Sequence, residues 1–486
     1  MKTLPEHAFR AYDIRGIVGT ELDASFAFDL GRALGQEVRK RGGSRASLAF
    51  DCRESSEGLM RYLAHGLVHE GIEVISQGMG PTPLLYFSMV HHAAQTSTVA
   101  PAAGSTDTPT SDAEHAPQYD LGVMVTGSHN PINYNGFKVV YAAGAAYGEE
   151  IQSLYRTMQD LRTSKAWKPA PAEVPSPPET CVRDAYVAAI LASVRPAGRR
   201  LRLSVDAANG AAGPLAARVL RAMGHEVIGH GLEPDGSFPL HHPDPTAPAS
   251  LAYMREAVRK DRADVGIGFD GDGDRMAAVD ERGDAIMGDR LLACFAEEVL
   301  ATQPGATIIG EVKCSRVLFD HIESLGGRAV MGAVGHSVMK AQIRAHNAAL
   351  AGEVSGHFFF ADRWFGFDDG IYAAARLVEW MSASDAPLSV RMGRLPESFS
   401  SPEIRVACAD ADKFKRMRAI AKTLGAMTQI VEVDGVRAEW PDGWGLVRAS
   451  NTEPVFVLRA EAESINRLDE ILALLHSLVS ASVDDA

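Results

Sequence analysis

The chain has 486 residues, of which 46% are hydrophobic, and this length predicts two to four domains rather than a single core. Its formal net charge of −14 argues against nucleic acid as a partner, although local Arg and Lys clusters can still bind phosphate groups. Apolar runs are far shorter than a membrane span and the N-terminal residues lack the apolar segment of a signal peptide, so we expect a cytoplasmic protein without a membrane partner. Five scattered cysteines without a CxxC pair argue against a zinc knuckle and against a disulfide framework.

The N-terminal part of the chain alternates between strand and helix patterns. Asp23 is the predicted N-cap of a helix that ends near Arg41, and it is followed by a strand over 47–50, a helix over 57–70 and a strand over 72–75. This alternation predicts a parallel sheet with helices packed against it.

Two stretches interrupt the alternation. Residues 92–118 are rich in Ala, Ser, Thr, Pro and His and contain almost no large apolar side chains, which predicts a surface insertion. After a predicted helix over 149–163, residues 165–180 are rich in proline and poor in apolar side chains, which predicts a linker between domains.

A buried strand is predicted over 121–125, and it ends at the polar loop TGSHNP at 126–131. Within this loop Ser128 and His129 place a hydroxyl beside an imidazole, which is a reasonable arrangement for a nucleophile. Taken alone, an ordinary polar turn is an equally good interpretation.

A second loop, DGDGDR at 270–275, follows a strand predicted over 263–269. Its alternating glycines let the backbone fold tightly, so that three carboxylates can converge on one cation. An EF-hand is excluded because Arg275 stands where that loop needs glycine and because strands flank the loop. GIGFDG at 266–271 matches GxGxxG but does not open a helix, which argues against a dinucleotide site. A Mg²⁺ site, with few protein ligands and a phosphate oxygen, fits the loop better.

A further alternation of strands and helices is predicted over residues 307–353. The predicted elements of this third part are a strand over 307–311, a helix over 314–324, a strand over 328–331, a helix over 337–346 and a strand over 350–353. The motif GEVSGH at 352–357 follows, and its carboxylate, hydroxyl and imidazole could bind sugar hydroxyls, although a core turn is as good an interpretation.

From about Leu395 the predicted strands follow one another with fewer helices, which predicts an α+β domain with an antiparallel sheet. The predicted elements of this last part are strands over 403–407, 429–433, 445–447 and 455–460, with helices over 410–424 and from about 464. Between the last two strands, RASNTEP at 448–454 offers a guanidinium, hydroxyls and an amide that suit a phosphate, although a Ser/Asn turn is a common alternative.

Together these motifs resemble those of the α-D-phosphohexomutase superfamily, and they are most similar to those of bacterial phosphomannomutase/phosphoglucomutase enzymes. The four loops occur in one order at domain-scale spacing, which is far more specific than any single match. The resemblance covers nearly the whole chain, and it includes YDIRG at 12–16, NGFK at 135–138, EVKCSR at 311–316 and GHS at 335–337.

The resemblance implies an α/β protein of three similar mixed α/β domains with central sheets plus a C-terminal α+β domain, with four domains around a central active-site cleft. Each domain would contribute one loop to that cleft. The implied domains are 1–176 with the phosphoserine loop and the insertion, 177–283 with the metal-binding loop, 284–395 with the sugar-recognition loop, and 396–486 with the phosphate-binding loop.

The resemblance also assigns roles to individual residues. Ser128 would be the phosphorylated serine, and the expected catalytic residues are Ser128, His129, Lys138, Arg275 and His336. The expected Mg²⁺ ligands are Ser128, through its phosphate, and Asp270, Asp272 and Asp274. The expected substrate-binding residues are Tyr12, Arg15, Lys313, Glu353, Ser355, His357, Arg448, Ser450, Asn451 and Thr452.

The implied activity is reversible phosphoryl transfer between C1 and C6 of mannose and glucose phosphates, through phospho-Ser128 and a hexose 1,6-bisphosphate that serves as intermediate and activator. A monomer or weak homodimer is expected. Val354 stands where dual-specificity relatives usually carry Met and phosphoglucosamine mutases usually carry Gln, which favours mannose and glucose over the amino sugar. Phosphoglucosamine mutase, a Mg²⁺-dependent sugar phosphatase and a non-enzymatic sugar-phosphate-binding relative are the alternatives.

Overall fold

The structure is a computed structural model that describes residues 3–91, 118–165, 167–196, 198–450 and 455–480. Apart from residue 118, the insertion predicted at 92–118 lies outside the described residues. The strands, in chain order, are β1 (Ile14–Ile17), β2 (Arg45–Phe50), β3 (Glu73–Met79), β4 (Leu121–Val125), β5 (Tyr134–Tyr141), β6 (Gly144–Ala145), β7 (Arg202–Asp206), β8 (Glu226–His230), β9 (Val265–Phe269), β10 (Met276–Asp280), β11 (Ala285–Ile286), β12 (Thr307–Glu311), β13 (Arg328–Gly332), β14 (Leu350–Gly352), β15 (Phe358–Phe360), β16 (Phe399–Ser400), β17 (Ile404–Ala407), β18 (Gln429–Val431), β19 (Val436–Trp440), β20 (Gly443–Ala449) and β21 (Val455–Ala462).

The helices are α1 (Ala24–Lys40), α2 (Ser56–His69), α3 (Thr82–Val90), α4 (Glu149–Thr163), α5 (Arg183–Ser193), α6 (Gly213–Ala222), α7 (Pro248–Asp261), α8 (Gly288–Thr302), α9 (Arg316–Ser324), α10 (His336–His346), α11 (Gly370–Ser382), α12 (Leu388–Met392), α13 (Asp410–Met427) and α14 (Ile465–Ser480). Among the described residues, no helix combines the length and the apolar character needed to cross a bilayer.

The chain forms two compact units. The first unit contains the residues up to Met287 together with Ser355–Ser389. The second unit contains Gly288–Val354 together with the residues from Val390 onward. The chain therefore passes from the first unit to the second and back before it ends in the second.

Two mixed sheets form the frame of the first unit, with strand orders β1-β5-β4-β2-β3 and β11-β10-β9-β7-β8, and β6 pairs with β5. In the first sheet β2 is parallel to β3 and β4, whereas β5 is antiparallel to β4. In the second sheet β7 is parallel to β8 and β9, whereas β10 is antiparallel to β9. The two sheets therefore repeat one arrangement, and the loops after β4 and β9 occupy equivalent positions in it.

One apolar core joins the first sheet to helices α1, α2 and α4 and so fixes the position of β4. As predicted, Asp23 caps α1, because its Oδ1 accepts a hydrogen bond from the Phe26 amide at 2.9 Å. Helices α1 and α2 approach each other closely, since a Cβ at Gly31 would lie only 2.1 Å from the carbonyl oxygen of Leu63. The rigid layer that results supports the strand that ends at the serine loop.

The second unit contains a third copy of the parallel arrangement and a different sheet. Strand β12 pairs in parallel with β13 and β14, as β2 and β7 do with their neighbours. The C-terminal strands form an antiparallel sheet in the order β16-β21-β20-β19-β18, with β17 also on β21, and helices α13 and α14 pack on it. The predicted fold class, three similar α/β parts followed by an α+β part, is confirmed.

Most predicted elements agree with the structure, and several have the predicted bounds. Helix α4 and strand β12 begin and end at the predicted residues. Several observed elements have no counterpart among the predicted ones, including helices α3, α5, α7, α8 and α11 and strands β5, β8 and β19. The predicted strand over 445–447 extends over the whole of β20.

Candidate active site

The loop after β4 holds the predicted nucleophile in an unusual backbone conformation. Ser128 is 2% exposed and has a φ of +48°, in the left-handed region that residues other than glycine rarely adopt. Its Oγ donates a hydrogen bond to Asp270 Oδ2 at 2.8 Å and lies 3.1 Å from His129 Nδ1. The structure therefore joins two loops that are 142 residues apart in the chain.

The loop after β9 brings three acidic side chains together. Asp270, Asp272 and Asp274 are each 0% exposed, and ligand oxygens from the three lie within 4.8 Å of one another. Oδ1 of Asp272 and Oδ1 of Asp274 have no hydrogen-bond partner among the described residues. Burial and the charges of the other two aspartates raise the pKa of Asp270. Buried carboxylates with oxygens left over are the donor set that a hard divalent cation requires, so the residues fit Mg²⁺.

Two cationic side chains lie within the same site. Lys138, on β5, donates hydrogen bonds to Asp272 Oδ2, at 2.7 Å, and to Asp274 Oδ2. Burial opposes the charge of Lys138, but attraction to these two aspartates outweighs it and raises the pKa of the lysine, which stays protonated. Arg15, on β1, is 5% exposed and donates from Nη1 to the carbonyl oxygen of Thr126 at 2.6 Å.

Arg275 and His357 contact each other beside the aspartates. Arg275 Nε donates to His357 Nε2 at 2.9 Å, and His357 Nδ1 lies 3.7 Å from Asp274 Oδ1 and 3.3 Å from Asp368 Oδ2. Asp274, His357 and Asp368 also lie close enough together to hold a cation. The positive charge of Arg275, followed by burial, lowers the pKa of His129 well below its ordinary value, so that imidazole is neutral near neutral pH.

In the second unit, the structure brings Glu353 of the sugar-recognition motif to the start of α10. Glu353 is 4% exposed, and its Oε1 accepts a hydrogen bond at 2.8 Å from the amide of Gly335, which precedes His336. Lys313 lies between two carboxylates, with its Nζ 2.9 Å from Glu403 Oε1 and 3.5 Å from Glu311 Oε1. Polar contacts therefore hold Lys313 and Glu353, which were predicted from different motifs, and place Glu353 beside the residue that precedes His336.

The first residues of the phosphate-binding motif are fixed through their neighbours. Arg448 Nε donates to Asp434 Oδ2 at 2.8 Å, and the same oxygen accepts the Val334 amide at 3.2 Å. The carbonyl oxygen of Ser450 accepts a hydrogen bond from Lys413 Nζ at 2.8 Å. These contacts anchor the end of β20, from which the motif continues.

Four predicted site residues remain, namely Tyr12, Ser355, Asn451 and Thr452. Tyr12 and Ser355 belong to the first unit, where both are partly exposed. Asn451 and Thr452 lie outside the described residues. The structure thus describes all but two of the predicted site residues and divides them between its two units.

Family models match four consecutive stretches of the chain. They are the phosphoglucomutase/phosphomannomutase alpha/beta/alpha domain I over residues 6–164, domain II over 184–283, domain III over 287–399 and the C-terminal domain over 403–475. The chain belongs to the phosphoglucomutase/phosphomannomutase family. Membership of the α-D-phosphohexomutase superfamily, predicted from the motifs, is therefore confirmed, and the chain is an isomerase.

Bacterial members of this family match almost the whole chain. The phosphomannomutase/phosphoglucomutase of Pseudomonas syringae pv. tomato is 41% identical over 98% of this chain and 95% of its own length. The phosphoglucomutase of Neisseria gonorrhoeae is 39% identical over 97% of this chain and 96% of its own. The crystal structure of a phosphoglucomutase/phosphomannomutase family protein from Burkholderia thailandensis is 41% identical, with a TM-score of 0.86 and coverage of 98% of both chains.

Three buried polar residues of this phosphohexomutase support the site and were not identified from the sequence. Asp51 accepts a hydrogen bond from Thr126 Oγ1 at 2.7 Å, and Thr82 Oγ1 donates to Asp272 Oδ2 at 2.6 Å. Arg53 contacts the serine loop through several backbone carbonyls. Two of them could have been found from the predicted sheet. Asp51 and Arg53 follow β2, and its parallel neighbour β4 ends at the serine loop, so the residues after both strands lie at the same edge.

Proposed function

We propose that this chain catalyses reversible phosphoryl transfer between C1 and C6 of hexose phosphates, with mannose and glucose phosphates as substrates. The transfer passes through phospho-Ser128 and a hexose 1,6-bisphosphate, which also acts as activator. The observation that carries the proposal is the buried Ser128 hydroxyl, hydrogen-bonded at 2.8 Å to Asp270 within a group of three buried carboxylates. Relatives named as phosphomannomutase/phosphoglucomutase support the choice of substrates.

Mg²⁺ is the proposed cofactor, and Asp270, Asp272, Asp274 and an oxygen on Ser128 would hold it. The ion, when bound, neutralises negative charge on the phosphoryl group that is transferred. The second oxygens of Asp272 and Asp274 support this assignment, because among the described residues each is a buried carboxylate oxygen without a hydrogen-bond partner.

The protein's own contribution to the transfer is positioning and neutralisation of charge. We assign neutralisation to Lys138, whose ammonium donates to Asp272 and Asp274, and to Arg275, whose positive charge acts on Asp270. His129 Nδ1, at 3.1 Å from Ser128 Oγ, would hold the proton that the seryl oxygen releases when it is phosphorylated. His336 is the proposed proton carrier on the sugar side.

The sugar and its distant phosphate would be bound by separate groups of residues. Hydroxyl recognition is assigned to Glu353, Ser355 and His357, and phosphate binding to Arg448, Ser450, Asn451 and Thr452. Tyr12, Arg15 and Lys313 complete the proposed substrate contacts. The bisphosphate must bind in two orientations, so that either phosphate can return to Ser128. We further propose that the protein is a monomer or weak homodimer, which sedimentation velocity tests.

The test is kcat/KM for glucose 1-phosphate, mannose 1-phosphate and glucosamine 1-phosphate, with Mg²⁺ and a trace of glucose 1,6-bisphosphate. We expect comparable values for glucose and mannose and a far lower value for glucosamine. Glucosamine as the best substrate would instead identify a phosphoglucosamine mutase. Release of inorganic phosphate without isomerisation would identify a phosphatase, and Ser128→Ala with normal turnover would contradict the phosphoserine.

A further inference from the structure

We infer that Arg53 is a positioning residue for phosphoryl transfer, because its guanidinium fixes the backbone of the loop that carries Ser128. The inference rests on the proposed phosphorylation of Ser128 and adds a residue that belongs to none of the four motif loops. Arg53 is 3% exposed and lies directly after β2, in the sheet that also contains β4.

The guanidinium of Arg53 donates hydrogen bonds to three carbonyl oxygens of the loop and to one at the start of β5. Nη2 donates to Ser128 O at 2.8 Å and to Asn130 O at 2.6 Å. Nη1 donates to Pro131 O at 2.8 Å and to Tyr134 O at 3.1 Å. A planar guanidinium presents its donors in a fixed fork, so a single side chain holds the course of the whole loop.

The loop needs such support because its conformation is strained. The φ of +48° at Ser128 places a side-chain-bearing residue in a region that is costly without outside contacts. Hydrogen bonds from a charged donor are stronger than those between neutral groups, so Arg53 favours this conformation over a relaxed one. The strained φ and a hydrogen bond from Arg53 therefore occur at the same residue, the proposed nucleophile Ser128.

Asp51 completes the support on the other side of Arg53. Asp51 Oδ2 lies 3.4 Å from Arg53 Nε, and it accepts hydrogen bonds from Thr126 Oγ1 at 2.7 Å and from the Gly127 amide at 3.0 Å. A Cβ at Gly127 would lie 2.3 Å from Arg53 Cζ, so the loop backbone and the guanidinium are in direct contact. The ion pair thus contacts the loop on both sides of Ser128.

The carbonyl of Ser128 also fixes the distance to the metal-binding loop. A Cβ at Gly271 would lie 2.5 Å from Ser128 O, the same oxygen to which Arg53 donates. Arg53 touches no reacting atom, but a shift of this carbonyl would move Ser128 Oγ away from Asp270. We therefore expect loss of Arg53 to slow the chemical step and to leave binding of the sugar phosphate intact.

The experiment compares Arg53→Ala, Arg53→Lys and the control Arg61→Ala in the full chain. Arg61, on α2, also donates to a backbone carbonyl, that of Val174, but it lies outside the serine loop. For Arg53→Ala we expect kcat to fall by about 10²-fold with KM nearly unchanged, and guanidinium ions to restore part of kcat. Arg53→Lys should be intermediate, because an ammonium cannot reach four carbonyls. Arg61→Ala should keep both constants.

Covalent labelling of Ser128 by glucose 1,6-bisphosphate, measured by intact mass, distinguishes failure of the proposed function from failure of the inference about Arg53. A wild-type protein that is never labelled overturns the proposed function and, with it, the inference. If the wild type is labelled but Arg53→Ala is labelled equally fast and keeps its kcat, only the inference is overturned. A loss that appears in KM rather than kcat overturns it as well. If Arg53→Ala does not fold, Arg53→Lys provides the same comparison.

Discussion

The buried carboxyl group of Glu311, beside Lys313 in the second unit, reduces the stability of the folded protein at high pH. Glu311 is 0% exposed; its Oε1 accepts the Val354 amide at 2.8 Å, and its Oε2 has no hydrogen-bond partner among the described residues. Burial is the main cause that raises the pKa of Glu311 to about 7; Lys313 opposes the rise and Glu353 adds to it. The folded protein therefore holds this proton more tightly than the unfolded chain does.

We expect Glu311→Gln to raise the free energy of unfolding at about pH 8 and to change it little at about pH 5. The carboxyl ionises near pH 4.5 when unfolded and near 7 when folded, so wild-type stability is lost as the pH rises through that window. The gain in the variant is about 3 kcal/mol at most. Urea unfolding at the two pH values measures it, with the exposed Glu463→Gln as control. An equal gain at both pH values would contradict the explanation.

Contacts between single residues that are far apart in the chain limit how much of the site can be predicted from sequence. Ser128 and the three aspartates were identified because their residue types and glycine spacing are themselves a pattern. The position of Lys138 Nζ between Asp272 and Asp274, more than 130 residues away in the chain, follows only from the folded sheets. Arg53 acts through backbone carbonyls, and a contact with backbone leaves no pattern in the sequence of its partners.

At the scale of elements, two arginines join the start of α9 to the C-terminal sheet within the second unit. Arg316 donates to the carbonyl oxygens of Trp440, Pro441 and Gly443 at 2.6, 2.9 and 3.0 Å. Arg437 donates in the opposite direction to the carbonyls of Val312 and Cys314, both at 2.7 Å, on the two sides of Lys313. These reciprocal contacts connect a predicted substrate-binding residue to strand β19.

We expect Arg437→Met to lower the free energy of unfolding by about 2–4 kcal/mol, because it leaves buried carbonyls unpaired. Since Lys313 lies between those carbonyls, KM for glucose 1-phosphate should rise more than kcat falls. Urea unfolding and steady-state kinetics measure the two effects. Arg467→Met removes an arginine whose partner Asp442 is about half exposed, and it should change both quantities little. Equal effects of the two substitutions would show that the buried carbonyl contacts are unimportant.

Two of the elements that were not predicted from the sequence, α3 and β19, were missed for different reasons. Every residue of α3 except the last is buried, so the helix has no polar face and no helical period of apolar residues. Strand β19 reads VRAEW, and this apolar and polar alternation is typical of a strand, so the pattern was present and was missed. Its burial does not follow the alternation, because Arg437 is 0% exposed. Helix α4 has a clear apolar stripe and was predicted with its observed bounds.

At the scale of the whole molecule, the proposed site residues are divided between the two units. The first unit contains Ser128 and the three aspartates, whereas the second contains Lys313, Glu353 and Arg448. Metal binding and phosphate binding should therefore affect different parts of the chain. The buried charges of the first unit provide the reason for a measurable metal effect, because a divalent cation offsets repulsion among carboxylates that are 0% exposed.

We expect Mg²⁺ alone to raise the melting temperature and to slow amide exchange over 126–129 and 270–275 without changing exchange over 335–337. A ligand at about 100 times its Kd adds about 2.7 kcal/mol to the stability of the state that binds it. Asp270→Asn should abolish the response to Mg²⁺ and should melt above the metal-free wild type, since one of three mutually repelling charges is gone. The partly exposed Asp264→Asn is the matched control and should respond as the wild type does. A Mg²⁺ response that survives in Asp270→Asn would place the ion elsewhere and would remove the basis for assigning it to the serine site.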